Sequence, residues 1–230
     1  AAAGDQALRL ATALHRFWDY RGYVSEGRAW LQKALTNRGP ATIEIQAKAL
    51  NAAGWLAYRQ GDLAQAQPLH EEAQRLAEQA AAEEALVDAL QHLAVIAMDR
   101  GDYPMAQQQL ETSLTLARRL AYQSGIARAL TRLGALAWDL DRIEEARTYR
   151  QEALQIEQRL GNQVNIASSF LGLADADRFL GDIAVAHRHY EAALQISRAL
   201  GHQGLIGAAL KGLGMLAFKQ GAYAEAQRYG

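Results

Sequence analysis

No cysteine occurs in the 230 residues, only 3 are proline, and neither sign of charge prevails: 24 Lys+Arg face 25 Asp+Glu, for a formal net charge of -1. Without cysteine there is no disulfide framework, no thiol nucleophile and no Cys-ligated zinc, which fits a reducing compartment such as the cytoplasm. Near-neutrality removes the general attraction of a basic chain for nucleic acid or an anionic membrane, so neither is expected as a partner. No apolar run approaches the roughly 20 residues that span a bilayer. What is there instead is hydrophobic and rich in alanine, the composition of a chain that is almost all helix. The opening "AAAGDQALRL" has neither an initiating Met nor a basic leader, so it reads as the start of an excised piece.

Laid over itself with Ala57 on Ala97, the sequence matches. "AYRQGDLAQA" at 57 aligns with "AMDRGDYPMA" at 97, "AWDLDRIEEA" at 137 and "AFKQGAYAEA" at 217, and Gly181 falls in the same register. The turn positions are Gly22, Gly61, Gly101, Asp141, Gly181 and Gly221. Each asks for a residue that accepts positive φ after a helix end, which glycine does freely and aspartate tolerably. Asp62, Asp102 and Asp182 follow, placed to cap the next helix or to favour its positive end. A fixed period of this length marks a solenoid.

Apolar and small positions recur with the turns. Leu50, Leu90, Leu130, Phe170 and Leu210 share one slot, and Gly54, Ala94, Gly134, Ala174 and Gly214 share another where two helices approach closely. Ala66, Ala106, Ala146, Ala186 and Ala226 repeat in the second helix. Spacings of 3, 4 and 7 put these on one helical face.

In combination these residues resemble the tetratricopeptide repeat, best in "ALTRLGALAWDLDRIEEARTYRQEAL" from Ala129. A period of about 40 residues makes this a lengthened variety. The usual second-helix aromatic is replaced by His70, Leu110 and Arg150, with only Tyr190 conforming. The resemblance implies an all-α, right-handed α-solenoid of antiparallel helix pairs. It would fill residues 1–230 as a single domain, with repeats at about 5–43, 44–83, 84–123, 124–163, 164–203 and an incomplete 204–230. Solenoids need polar end caps, and the cut last helix leads to the expectation of a longer natural chain.

Catalytic and cofactor motifs do not stand up to their context. "GLGMLA" at 212 matches a phosphate fingerprint but lies in a helical pattern with no strand before it. His187 and His189 point to different helix faces, the other histidines are scattered, and no HExxH spacing occurs, so no metal site is expected. No nucleophile–base arrangement is legible either. The expectation is a chain with no catalytic residues and no cofactor.

In tetratricopeptide proteins the first helix of each pair lines a concave groove. Carried over slot by slot, the resemblance puts Asn51, Trp55, Tyr58, Gln91, His92, Met98, Arg128, Thr131, Arg132, Trp138, Asp175, Arg178, Lys211 and Phe218 there. Tyr58, Met98, Trp138 and Phe218 occupy one slot, interrupted by Arg178: either a binding floor or packing between successive first helices. Arg128 and Arg132, four apart, either fork onto a carboxylate or phosphate or pair with Asp88 or Asp139. Asp177 replaces an alanine at a slot expected to be buried, and pairs with Arg178, Arg188 or a ligand cation.

The first repeat, "LRLATALHRFWDYRGYVSEGRAWLQKAL" from Leu8, is similar to one that follows the ATPase and winged-helix parts of bacterial STAND-class regulators, including LuxR/MalT-type transcriptional regulators. That likeness implies a sensor or protein-interaction arm of a signalling regulator, binding a peptide, a protein segment or a small inducer. Phe17, Trp18 and Trp30 would then be mainly packing residues. The other reading is a free-standing adaptor for protein assembly.

Overall fold

In the computed structural model, residues 2–37, 39 and 41–229 are described. Ala1, Arg38, Pro40 and Gly230, of which Arg38 and Pro40 fall within the first expected repeat and Gly230 within the last, lie outside the described residues. Every regular element among the described residues is an α-helix. In chain order these are α1 (Ala2–Arg21), α2 (Val24–Thr36), α3 (Ile43–Arg59), α4 (Leu63–Gln79), α5 (Glu83–Asp99) and α6 (Tyr103–Arg119). They continue as α7 (Gln123–Asp139), α8 (Ile143–Leu160), α9 (Gln163–Leu180), α10 (Ile183–Leu200), α11 (Gln203–Lys219) and α12 (Tyr223–Tyr229). The chain divides into two compact units, Ala1–Gly125 and Ile126–Gly230. No helix among the described residues is long and apolar enough to cross a membrane.

One joint recurs throughout. The expected turn residues Gly22, Gly61, Gly101, Asp141, Gly181 and Gly221 all have positive φ, and so do Ala81, Ala121, Gly161 and Gly201. From Gly61 onward the left-handed residue therefore returns twice per sequence repeat, at both ends of each hairpin. At each such joint the next amide reaches back over the turn: Asp62 to the carbonyl of Ala57 (3.0 Å), Ala82 to Ala77 (2.8 Å), Tyr122 to Ala117 (2.9 Å), Arg142 to Ala137 (2.8 Å). That is the Schellman closure, which satisfies carbonyls a helix end would otherwise leave bare. The next helix then starts on a cap. The side chains of Asp62, Asp102, Asn162 and His202 accept from the amides of Gln65, Met105, Asn165 and Leu205. Asp182 makes no such bond; its carboxylate lies 3.6 Å from the guanidinium of Arg147 instead.

Short joints force each helix back along its predecessor, so the faces chosen by the 3-4-7 spacing meet. In unit 1 a core of Leu8, Trp18, Leu31, Ala49, Ala53 and Leu56 joins α1, α2 and α3, and a second core joins α3, α4 and α5 around Leu50, Ala73, Leu76 and Ala85. In unit 2, Ala174, Ala186, Tyr190, Ala193, Leu213 and Leu216 bring α9, α10 and α11 together. The small slot works by close approach: a Cβ at Gly54 would meet the His70 ring at 2.8 Å, and one at Gly134 would meet Arg150 Cγ at 3.0 Å. Of the aromatic residues in the first hairpin, Trp18 is buried as expected, but Phe17 and Trp30 are half exposed.

Candidate functional site

Each unit presents the residues of its first helices as a distinct surface. In unit 1 that surface is built on stacked rings. Trp55 lies against Tyr58 (centroids 5.3 Å) and His92 (5.2 Å), and His92 against His70 (4.6 Å). The His70 ring comes from α4, passing under Gly54, where no side chain blocks it. The Trp55 indole N–H donates to Asp19 Oδ2 at 2.7 Å, and Arg59 Nε lies 3.0 Å from the other oxygen of that carboxylate. Met98 is half-buried beyond the stack.

Asn51 and Gln91 do not belong to this surface. Both are buried. The Asn51 amide donates to the carbonyl of Ala85 (2.9 Å) while its oxygen meets His70 Nδ1 (3.2 Å). The Gln91 amide donates to Ser113 Oγ and to the Gly125 carbonyl, each at 2.9 Å. Their role is to staple one first helix to the next. A polar residue on a first helix looks like groove lining in sequence, and nothing local distinguishes it from a staple.

In unit 2 the surface carries charge. Asp175 Oδ1 accepts from the Tyr190 hydroxyl at 2.5 Å and stands 3.7 Å from Arg178 Nη2, whose Nε is 3.4 Å from the same hydroxyl. Burial, with the Asp175 carboxylate beside it, raises the Tyr190 pKa well above the usual phenol range. Beside this triad Trp138 and Phe179 meet edge to face at 5.7 Å, and Phe179 is 58% exposed. Arg128, Thr131 and Arg132 line a cleft of about 120 Å³ with Glu157, Asn165, Ser168 and Ser169. The Arg128–Arg132 fork thus shares its cleft with a buried carboxylate, Glu157, which also accepts from Asn165 Nδ2 at 2.8 Å. Farther along, Phe218 is 65% exposed, with Tyr223 at its edge, and Lys211 is exposed.

Asp177 is fully buried, as its slot requires, but its partners are neither Arg178 nor Arg188. Arg147 Nε lies 2.8 Å from one oxygen and His189 Nδ1 2.7 Å from the other. The reason is directional: Arg178 follows Asp177 on α9 and faces Asp175, whereas Arg147 on α8 and His189 on α10 approach from the two second helices packed against this face. Asp177 is held by the protein itself.

Sequence reasoning misses four residues at this surface: Arg150, Tyr190, His70 and His189. The first three share the second-helix slot that is aromatic in the resembled family. Each sends its tip between two first helices, Arg150 past Gly134 to Gly172 and Tyr190 to Gly212. The signal lies in the departures at that slot, read together with the glycines opposite. Among the described residues no three acidic, histidine or cysteine side chains are grouped to hold a metal ion.

A tetratricopeptide repeat model matches residues 125–199. Among curated proteins none matches. Among solved structures, the Rap conjugation gene regulator of plasmid pLS20, in complex with the Phr* peptide, is similar with a TM-score of 0.79 at 14% identity, over 95% of this chain and 60% of that one. The STAND protein with a tetratricopeptide repeat sensor from Pyrococcus horikoshii has a TM-score of 0.78 at 16% identity, over 95% and 34% of the two chains. For BtubC from P. vanneervenii the values are 0.71 and 21%, over 92% and 87%. At these identities the likeness is one of fold. The match over residues 125–199 is to the tetratricopeptide repeat, and the helical hairpins share the solenoid fold of these structures.

Proposed function

We propose that this chain is a non-catalytic binding module that takes a peptide or an extended protein segment on the first-helix side, as the sensor or interaction arm of a bacterial signalling regulator in the cytoplasm. The observation that carries the reading is the unit 2 surface. There Trp138 and Phe179 present a joined pair of rings, the outer one largely exposed, beside an Asp175–Arg178–Tyr190 network that fixes its polar neighbours. Rigid aromatic anchors flanked by ordered polar groups are what gives a peptide site most of its binding energy. The peptide-bound Rap structure shows a similar fold engaging a peptide, and the STAND protein carries such a fold as its sensor. The first hairpin's likeness to STAND-class regulators supports the same setting.

The test is to pan a random peptide display library on this chain and measure the selected peptides by fluorescence anisotropy. Binding should fall about thirtyfold in Trp138→Ala and in Phe179→Ala, the equivalent of about 2 kcal/mol per anchor. It should be unaltered in Phe17→Ala, whose ring lies in the first hairpin. No enrichment, or equal loss in all three variants, would sink the reading.

A further inference from the structure

Arg150 is an unusual resident of its slot. Its equivalents are His70, Leu110 and Tyr190, all buried. It enters from α8 beside Gly134 on α7, with its guanidinium over Gly172 on α9, so close that a Cβ at Gly172 would sit 1.7 Å from Nη1 and 2.4 Å from Cζ. The glycine is therefore the seat of the guanidinium. Inside the protein Nε is sealed from solvent and finds no acceptor among the described residues, while the terminal nitrogens are not sealed. Burial pulls the group below the usual guanidinium range, and Asp175 and Asp139 only partly offset this from a distance. Asp175 is already taken by the Tyr190 hydroxyl and Arg178. A desolvated cation without a close counter-charge weakens the fold, and an apolar residue of similar volume would serve the packing better. Leu110 does so one hairpin earlier.

We infer that Arg150, seated on Gly172, is a binding residue for a carboxylate of an acidic peptide, whose neighbouring large apolar side chain rests on Trp138 and Phe179. This deepens the proposed function and rests on it. A planar guanidinium offers parallel N–H donors that match the two oxygens of an Asp or Glu side chain, and a charged acceptor compensates a desolvated cation better than a peptide carbonyl does. Trp138 follows Gly134 by one helical turn and Phe179 follows Gly172 by two, roughly 6 and 10 Å along their helices. A carboxylate and an apolar group on adjacent or next-but-one residues of an extended peptide span that separation.

The experiment uses the peptides that panning selects on the full chain, together with Arg150→Met and, as a second variant, Gly172→Ala, which keeps the arginine but denies its head the seat. Selected peptides should carry Asp or Glu beside a large apolar residue. Replacing that acid by its amide should weaken binding about tenfold or more, as should either variant. The acid-to-amide change should then cost nothing further in Arg150→Met. The melting temperature of Arg150→Met should be equal to or higher than that of the parent. Peptides enriched without acidic residues, or bound equally by Arg150→Met, would overturn the carboxylate site and leave the peptide-binding reading standing. Failure to enrich any peptide would overturn both.

Discussion

The two units use one frame and fill it differently. Buried polar groups in unit 1 are Asn51, His70, Gln91 and Ser113, whereas unit 2 buries the carboxylates of Glu157 and Asp177 and inserts Arg150 between its helices. The slot of Asp177 is Ala57 and Ala97 in unit 1, and the slot of Glu157 is Ala77 and Ala117. Conversely, the stapling amides Asn51 and Gln91 give way to Thr131, which bonds its own helix at Ala127, and to Leu171. The joints differ as well: between hairpins unit 1 places Ala81 in the left-handed region, where unit 2 uses Gly161 and Gly201. In its buried core unit 1 is tied by neutral hydrogen bonds along its first helices, its Arg59–Asp19 ion pair being only partly buried. Unit 2 buries ions, of which Asp177 is held by Arg147 and His189 from the neighbouring second helices, and it is the unit with the open guanidinium. The fully buried carboxylate of Asp177 is accepted in this frame because adjacent helices supply its counter-charges.

The sharpest way to break that comparison is to move the charge. In Ala97→Asp the carboxylate would arrive in a buried slot where Gln67 and Gln109 stand in place of Arg147 and His189. Urea unfolding should show a loss of about 3 kcal/mol or more. A loss below about 1 kcal/mol would mean that the slot itself, and not the partners, tolerates charge.

Removing the charge where it is native should matter less. Asp177→Ala restores the residue of the other repeats but strands Arg147, which is 37% exposed and can turn to water. We expect a loss of about 1–2 kcal/mol with peptide affinity unchanged. Weakened binding at an unchanged melting temperature would instead place Asp177 in the site.

The joints give a smaller effect of the opposite sign. Ala121→Gly should stabilise by about 1 kcal/mol, since φ of 52° is strained for alanine and free for glycine. Gly161→Ala should cost a similar amount. If both changes are neutral in thermal unfolding, the two residue types are equivalent at these joints.

The smallest effect distinguishes the units by pH. His15, in unit 1, has its pKa lowered from 6.5, first by burial, against the opposing pull of the Thr12 carbonyl it meets at 2.7 Å. The unfolded chain then takes up a proton on His15 at higher pH than the folded one. Stability is full above 6.5 and declines as pH falls below it toward the lower folded pKa. His15→Gln should flatten the part of the pH–stability curve that this residue supplies, and an unaltered curve would show that burial of His15 is not coupled to folding.

How much of this was legible beforehand depended on whether the deciding residue had a type that betrays its role. Glycines at 61, 101, 181 and 221 announce their joints, and small residues at 54, 134 and 214 announce close packing, so the hairpin order and the all-α fold could be read. Ala81 and Ala121 adopt the same left-handed joint without any compositional mark, which hid the half-period. Asn51 and Gln91 carry the chemistry of a binding surface, but their acceptors, the carbonyls of Ala85 and Gly125, lie 34 residues away and have no side-chain signature. Asp177 could be recognised as buried from its slot, yet Arg147 stands where Gln67 and Gln107 stand in earlier repeats, so the pairing was visible only in three dimensions. Arg150 could have been found by asking what an arginine does in an aromatic slot opposite two glycines.

The return of one joint at a fixed half-period bears on how such a chain changes length. Because the joints from Gly61 onward share one backbone conformation, a whole repeat there can be duplicated or lost and both ends still rejoin in register. The side-chain pairs set a limit that the backbone does not. Arg147 and Arg150 lie on α8, whereas Asp177 and Gly172 lie on α9, so each pair straddles the boundary between two repeats. A copy of an earlier repeat such as 84–123 inserted at that boundary would leave an aspartate without its arginine and an arginine without its seat. Growth by duplication is therefore open in the alanine-lined stretches and closed where ions cross the seam, so the order of hairpins in unit 2 is fixed by chemistry while that of their turns is interchangeable.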